Sequence, residues 1–193
     1  MTRQGSGRRT GERREEILAA AMEVVAERGY QGASLSAVAR RAGLTQQGLL
    51  HYFPSKEALL VGVLEARDRW DAQWAAAASP GWKRAQLEQL VEYNASRPGV
   101  VQLYTVLAGE SVTEGHPARA FFEQRFREVR RHLVDTIRGE YGDELPGGLT
   151  PERAVVLLVA AMDGLQLQWL LDPAEIDMPA AVRDLLDLFA ARP

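Results

Sequence analysis

Between Ser34 and Pro54 the chain has room for two short helices joined by a single tight turn. In "GASLSAVARRAG" the Ser34 side chain is placed to cap the amides of a following turn, and Leu35, Val38, Ala39 and Ala42 recur at helical spacing toward a core. Gly43 closes that helix, because glycine tolerates the backbone of a sharp turn. Thr45 then caps a second helix whose first exposed residues are Gln46, Gln47 and Gly48, while Leu49 turns back toward the first. Pro54-Ser55 ends the unit and starts another helix.

Elsewhere proline and glycine are scarce inside the long segments and cluster at a few places: Gly29 to Gly32, Pro80-Gly81, Pro98-Gly99, Gly115 to Pro117, Gly142 to Pro151, Pro173 and Pro179. The stretches between them carry helical periodicity. Ile17, Ala21, Val24 and Val25 share one face of 12–28, and Gly29 stands where a helix C-terminus favours positive φ. Val182, Leu185, Leu186 and Phe189 repeat the pattern near the end. No window alternates at period two and there is no Asn-Gly hairpin signal, so the expected fold is all-α with about nine helices and no internal repeat.

Net charge is unevenly divided. Residues 1–56 carry nine Lys/Arg and five Glu, whereas 57–193 carry fourteen Lys/Arg and twenty-one acids. A basic front on an acidic body fits a module that faces a polyanion, with solvated helix faces as the plainer reading. The chain has no cysteine, which excludes disulfides and thiolate metal sites, and its polar N-terminus lacks the apolar core of a secretory signal. No uninterrupted apolar run reaches membrane-spanning length. These features point to a cytoplasmic protein without a membrane partner.

Two short helices about a glycine turn form a helix-turn-helix, which presents the second helix to a DNA major groove. Gln46 and Gln47 have the chemistry to pair with adenine edges, and Gly48 permits close backbone approach. Tyr52, His51, Lys56, Ser34 and Arg40 are candidate phosphate contacts, as is Thr45 at the helix start. Arg8, Arg9, Arg13 and Arg14 of the leader can add a salt-sensitive grip, with 1–10 expected to be disordered. Packing in a helical corner is the alternative for His51 and Tyr52; Phe53 is assigned to the core.

"SLSAVARRAGLTQQGLLHYFPSKEALL", residues 34–60, closely resembles the DNA-binding segment of TetR-family (tetracycline-repressor-like) transcriptional regulators. Two departures stand out. Leu50 occupies the place of a usual Tyr, and Gln46-Gln47-Gly48 replaces the commoner Lys/Arg-Gly/Ala-Thr/Ser run. The resemblance implies a homodimer that binds a palindromic double-stranded DNA operator through a head (1–56). It also implies a ligand-binding and dimerisation body (57–193), with repression relieved by a small-molecule effector.

In the body, Trp70, Trp74, Trp169, Tyr93, Tyr104, Phe122, Phe126 and Met162, with Leu103 and Leu107 on one stripe, are candidate pocket residues for a mostly apolar effector. Asp163 and Gln166 interrupt an apolar helix and supply candidate polar anchors; ordinary core packing is the alternative. Residues 151–171 are apolar nearly all round, which predicts a helix covered on more than one side. Val155, Leu158 and Leu165, with Val182, Leu185 and Phe189 of the last helix, are the expected dimer contacts. His51, His116 and His132 have no ligand-spaced partners, and neither a phosphate loop nor a nucleophile elbow occurs. No cofactor, metal or enzymatic activity is therefore expected. A small all-α enzyme built on Glu110 and His116, or a DNA-independent helical adaptor, is the alternative.

Overall fold

The computed structural model describes the backbone of residues 4–78 and 83–190, and side chains over 11–69 and 83–190. Among the described residues there are nine α-helices and no strand: α1 (Gln4–Gly32), α2 (Leu35–Arg41), α3 (Gln46–Leu50), α4 (Lys56–Ala78), α5 (Arg84–Ala95), α6 (Pro98–Glu110), α7 (Arg119–Tyr141), α8 (Pro151–Leu171) and α9 (Met178–Ala190). The all-α expectation is met. Helix α1 begins at Gln4, where the sequence suggested a disordered leader; the segment has no proline, and extending an existing helix adds one hydrogen bond per residue. Gly29 breaks the regular helix with φ 64°.

Local chemistry sets the head. Ser34 caps α2 by accepting the Ala37 amide, Gly43 turns the chain at φ 66°, and Thr45 caps α3 by accepting the Gly48 amide at 3.0 Å. Val38, Ala39, Leu49 and Phe53 are buried beneath this unit against Ile17, Leu18 and Ala21 of α1 and Leu59, Leu60 and Val63 of α4.

Two apolar clusters form the interior. The first joins α1–α4 to α6 and the start of α7, through Val100, Leu103, Tyr104, Leu107 and Phe122. The second joins α5, the rest of α7, α8 and α9, through Leu87, Val91, Leu133, Ile137, Val155, Leu158, Val182, Leu186 and Phe189. Helix α6 lies along α1 and also touches α5 and α8.

This partition corrects the expected dimer contacts. Val155, Leu158, Val182 and Phe189 are buried inside the protomer, and Leu165 and Leu185 pack at the edge of the second cluster. The outward apolar residues are their neighbours: Val156, Leu157, Leu167 and Leu171 on α8 and Leu188 on α9, each at least half exposed. Helix α8 packs against α6, α7 and α9, and these neighbours leave Val156, Leu157, Leu167 and Leu171 uncovered. With a mean hydropathy of 1.7, it is, among the described residues, the one helix long and apolar enough to cross a membrane.

Helix α6 approaches α1 closely because residue 99 lacks a side chain. A β-carbon there would sit 2.5 Å from the Val25 carbonyl oxygen and 3.1 Å from the Ala26 Cα, both backbone atoms that cannot step aside. Gly99→Ala is expected to destabilise the protein by about 1–3 kcal/mol, as overpacking does. Gly109→Ala, later on the same helix with nothing within 4 Å, is expected to leave stability unchanged or raise it. Thermal or urea midpoints of the two variants check the contrast.

Candidate nucleic-acid interface and interior polar seam

The outer surface of the head is built around α3. Gln46 and Gln47 are exposed on its first turn, where the Thr45 hydroxyl accepts the Gly48 amide. Gly48 is only lightly constrained, since a β-carbon there would meet the Thr45 hydroxyl at 3.3 Å. His51 is exposed and Tyr52 half-buried, their rings edge-on at 5.9 Å, so Tyr52 is part packing residue and part surface. Ser34 is exposed, with its hydroxyl 3.1 Å from that of Ser36. Arg40 is exposed, and no ion pair ties it down among the described residues.

Other basic side chains turn inward. Lys56 Nζ donates to the Tyr30 carbonyl at 3.0 Å and lies 4.5 Å from the Tyr30 ring centroid, which corrects the expectation that it stands free to meet a phosphate. Arg13 donates to the Ala42 carbonyl at 2.8 Å, and the Arg14 guanidinium sits over Phe53 at 4.8 Å; both brace the head rather than form a loose arm. Arg41 forks to Glu23 at 2.8 Å and Glu27 at 2.6 Å, and that hydrogen bond holds the Glu27 carboxyl below the usual range. Arg8 and Arg9 lie outside the described side chains.

Inside the body, polar groups gather where the two apolar clusters meet. Arg125 of α7 pairs with Asp68 of α4, Nε to Oδ2 at 2.8 Å and Nη2 donating to Oδ1 at 3.1 Å, and its guanidinium lies 4.9 Å from the Tyr104 ring centroid. Arg67, the residue just before Asp68 on α4, is 5% exposed and donates to Asn94 Oδ1 of α5 at 2.5 Å. Asp163 of α8 faces Tyr104 and Arg125. Burial raises the Asp163 pKa, with Arg125 and the Tyr104 hydroxyl opposing that shift only in part. Burial likewise pushes Tyr104 up to about 12, so its hydroxyl keeps its proton at neutral pH. Gln166 Oε1 and Thr105 Oγ1 are buried without a hydrogen-bond partner among the described residues. Gln166 borders a narrow crevice, too tight as it stands to admit a water molecule, whose other walls are Val91, Asn94, Met162, Met178 and Val182.

The candidate pocket residues therefore divide. Tyr104, Asp163, Gln166 and Met162 lie at the seam or its crevice. Phe126 and Trp169 are half-buried beside the first and second clusters. Leu103, Leu107 and Phe122 are closed within the first cluster, which corrects their assignment as lining residues. Tyr93 is another correction: it is 47% exposed and pairs with Arg97, whose Nη1 donates to its hydroxyl at 2.7 Å. The side chains of Trp70 and Trp74, and all of Trp82, lie outside the described residues. Sequence reasoning missed Arg67 and Arg125. Both extend apolar stripes, Leu60-Val63-Leu64 and Phe121-Phe122, and an arginine in such a stripe was the available signal.

Glu110 and His116, the imagined acid–base pair, are 3.8 Å apart, and Glu110 already accepts the Tyr30 hydroxyl. His116 Nδ1 accepts the Ala118 amide at 3.2 Å. Among the described residues no group of three or more His, Asp or Glu side chains is placed to hold a metal.

A carboxyl whose folded-state pKa is raised binds its proton more tightly in the folded chain than in the unfolded one. Stability is then greatest below the unfolded pKa and falls as pH rises through the folded value. Asp163→Asn is accordingly expected to be more stable than the parent at neutral pH, with the gain shrinking as the buffer approaches about pH 4. Urea midpoints across that window check the sign.

Residues 17–63 match the model of bacterial regulatory proteins of the tetR family, and residues 81–192 match that of the BetI-type transcriptional repressor C-terminal region. The HTH-type transcriptional regulator BetI of Paraburkholderia phymatum is 31% identical over 192 residues, covering 93% of this chain and 94% of that protein. Among solved structures, a transcriptional regulator from Rhodococcus sp. Rha1 superposes with a TM-score of 0.72 at 23% identity, covering 93% of this chain and 99% of its own. A regulator from Saccharomonospora viridis in complex with choline gives 0.75 at 21%, covering 94% and 97%. An outward-facing capped α3, the two matched regions and the end-to-end relative together lead to one conclusion: the chain belongs to the TetR family and is a DNA-binding transcriptional regulator.

Proposed function

We propose that the protein is a cytoplasmic homodimeric repressor that binds a palindromic operator and is released by a small molecule held at the interior seam. The observation that carries this reading is the exposed first turn of α3, with Gln46 and Gln47 beyond the Thr45 cap. In the major groove these amides read adenine edges. Ser34, Arg40, Thr45, His51 and Tyr52 flank them as phosphate contacts, and Gly48 allows close approach. The head (1–56) and body (57–193) divide this work, with α4 as a strut common to both.

Two copies pair through the outer face of α8 and α9, where Val156, Leu157, Leu167, Leu171 and Leu188 are exposed on the protomer. A twofold axis there matches operator palindromy, and recognition helices about 34–36 Å apart reach successive turns of B-DNA. A molecule that favours a dimer with another spacing lowers operator affinity by its differential affinity for the two states. The choline held by the Saccharomonospora viridis regulator supports a small-molecule effector as a class. In this chain Tyr104, Asp163 and Gln166 supply polar anchors, and Met162, Phe126 and Trp169 the apolar walls.

Selection of bound duplexes from a random pool is expected to return an inverted repeat. Gln46→Ala should then weaken the best site by about 1–3 kcal/mol and shift base preference at one position of each half-site, read by repeating the selection. Selected duplexes without symmetry would remove the dimeric operator from this account. Leu157→Glu is expected to convert the dimer to a folded species of about 21 kDa in sedimentation, because the side chain is exposed on the protomer and buried only by a partner.

A further inference from the structure

Tyr30 occupies an unusual junction. It follows the break at Gly29 and comes four residues before the Ser34 cap, so it stands at the entrance to the helix-turn-helix. Lys56 opens α4 at the exit. Its ammonium donates to the Tyr30 carbonyl and covers the Tyr30 ring, which ties entrance and exit at one residue.

The body grips the same residue from α6. The Tyr30 amide donates to Gln102 Oε1 at 3.3 Å, and the Tyr30 hydroxyl donates to Glu110 Oε2 at 3.0 Å. These two acceptors lie eight residues apart, about 12 Å along the helix, so α6 holds Tyr30 over much of its length. Gly29 is suited to the turn on two counts: its φ is 64°, and a β-carbon would collide with the Gln102 side-chain oxygen. Burial and the Glu110 carboxylate push the Tyr30 hydroxyl up to about 12, so it remains a donor at neutral pH. His116 Nε2, 3.8 Å from Glu110, is the other group facing that carboxylate.

We propose that Tyr30 is a positioning residue for operator recognition, fixing both ends of the helix-turn-helix to α6 so that the seating of α6 sets the placement of α3. The proposal rests on the DNA-binding reading. A merely structural tyrosine would support the fold without discriminating between duplexes. A positioning residue acts on the specific complex, where both half-sites must be met at once, and hardly on non-specific binding, which depends on charge.

Tyr30→Phe keeps the ring, the cation contact and both backbone bonds, and removes only the link to Glu110. Glu110→Gln weakens the same link from the other side. With the full-length protein at one salt concentration, dissociation constants are measured for the selected duplex and for a scrambled duplex of equal length, beside thermal midpoints. Each variant is expected to bind the selected duplex about 3- to 10-fold more weakly, the scale of the net contribution of one ordinary hydrogen bond. The scrambled duplex should stay within about twofold of the parent, and the double variant should be no weaker than either single one. Selected-duplex affinity within twofold of the parent, equal weakening on both duplexes, or additive losses in the double variant would overturn the proposal. A parent protein that retains no duplex even at low salt would instead defeat the DNA-binding reading itself, and this inference with it.

Discussion

The close approach of α6 to the backbone of α1 at Gly99 organises the molecule. Side chains usually hold packed helices about 8–10 Å apart. Here a missing β-carbon brings a body helix onto the head, and Val100, Leu103 and Leu107 enter the same cluster as Ile17 and Leu18. The head therefore has no core of its own. Burying those side chains against α1 stabilises the head and couples its orientation to α6, since close-packed interiors shift between discrete arrangements and resist gradual deformation.

Local chemistry made much of the head legible in the sequence. Caps act within three residues of their own position and a positive-φ glycine acts at its own, so Ser34, Gly43 and Thr45 needed no tertiary information. The helix at 151–171 was likewise readable from its bounding Pro151 and its apolar length. Which side of that helix faces inward was not. When nearly every face is apolar, periodicity cannot separate Val155 from Val156, and only the placement of the helices packed on α8, namely α6, α7 and α9, decides that the first is buried and the second exposed.

The candidate site failed to be legible for a related reason. Lys56 looks like a phosphate ligand because a flexible cation beside a recognition helix usually faces solvent, yet the turn after Gly29 brings a carbonyl and an aromatic ring within its reach. Arg67 and Arg125 look like solvated charges until the helices on either side cover them. Their partners Asn94 and Asp68 lie 27 and 57 residues away in sequence, beyond any local spacing rule.

The seam acquires its meaning from what α6 touches on its two sides. Gly99, Gln102 and Glu110 face α1 and Tyr30, whereas Tyr104, roughly 140° round the helix from Gly99, meets Arg125 and Asp163. The Arg125–Asp68 pair is half-buried, and separating it would leave each charge partly desolvated without its partner, which favours arrangements of the seam that keep the pair together. A bound molecule that satisfied the Gln166 oxygen would favour whichever arrangement admits it. Because the helix that bears Tyr104 also carries the contacts to the reading head, such a choice would be felt at α3 without any contact between the molecule and the DNA-facing surface.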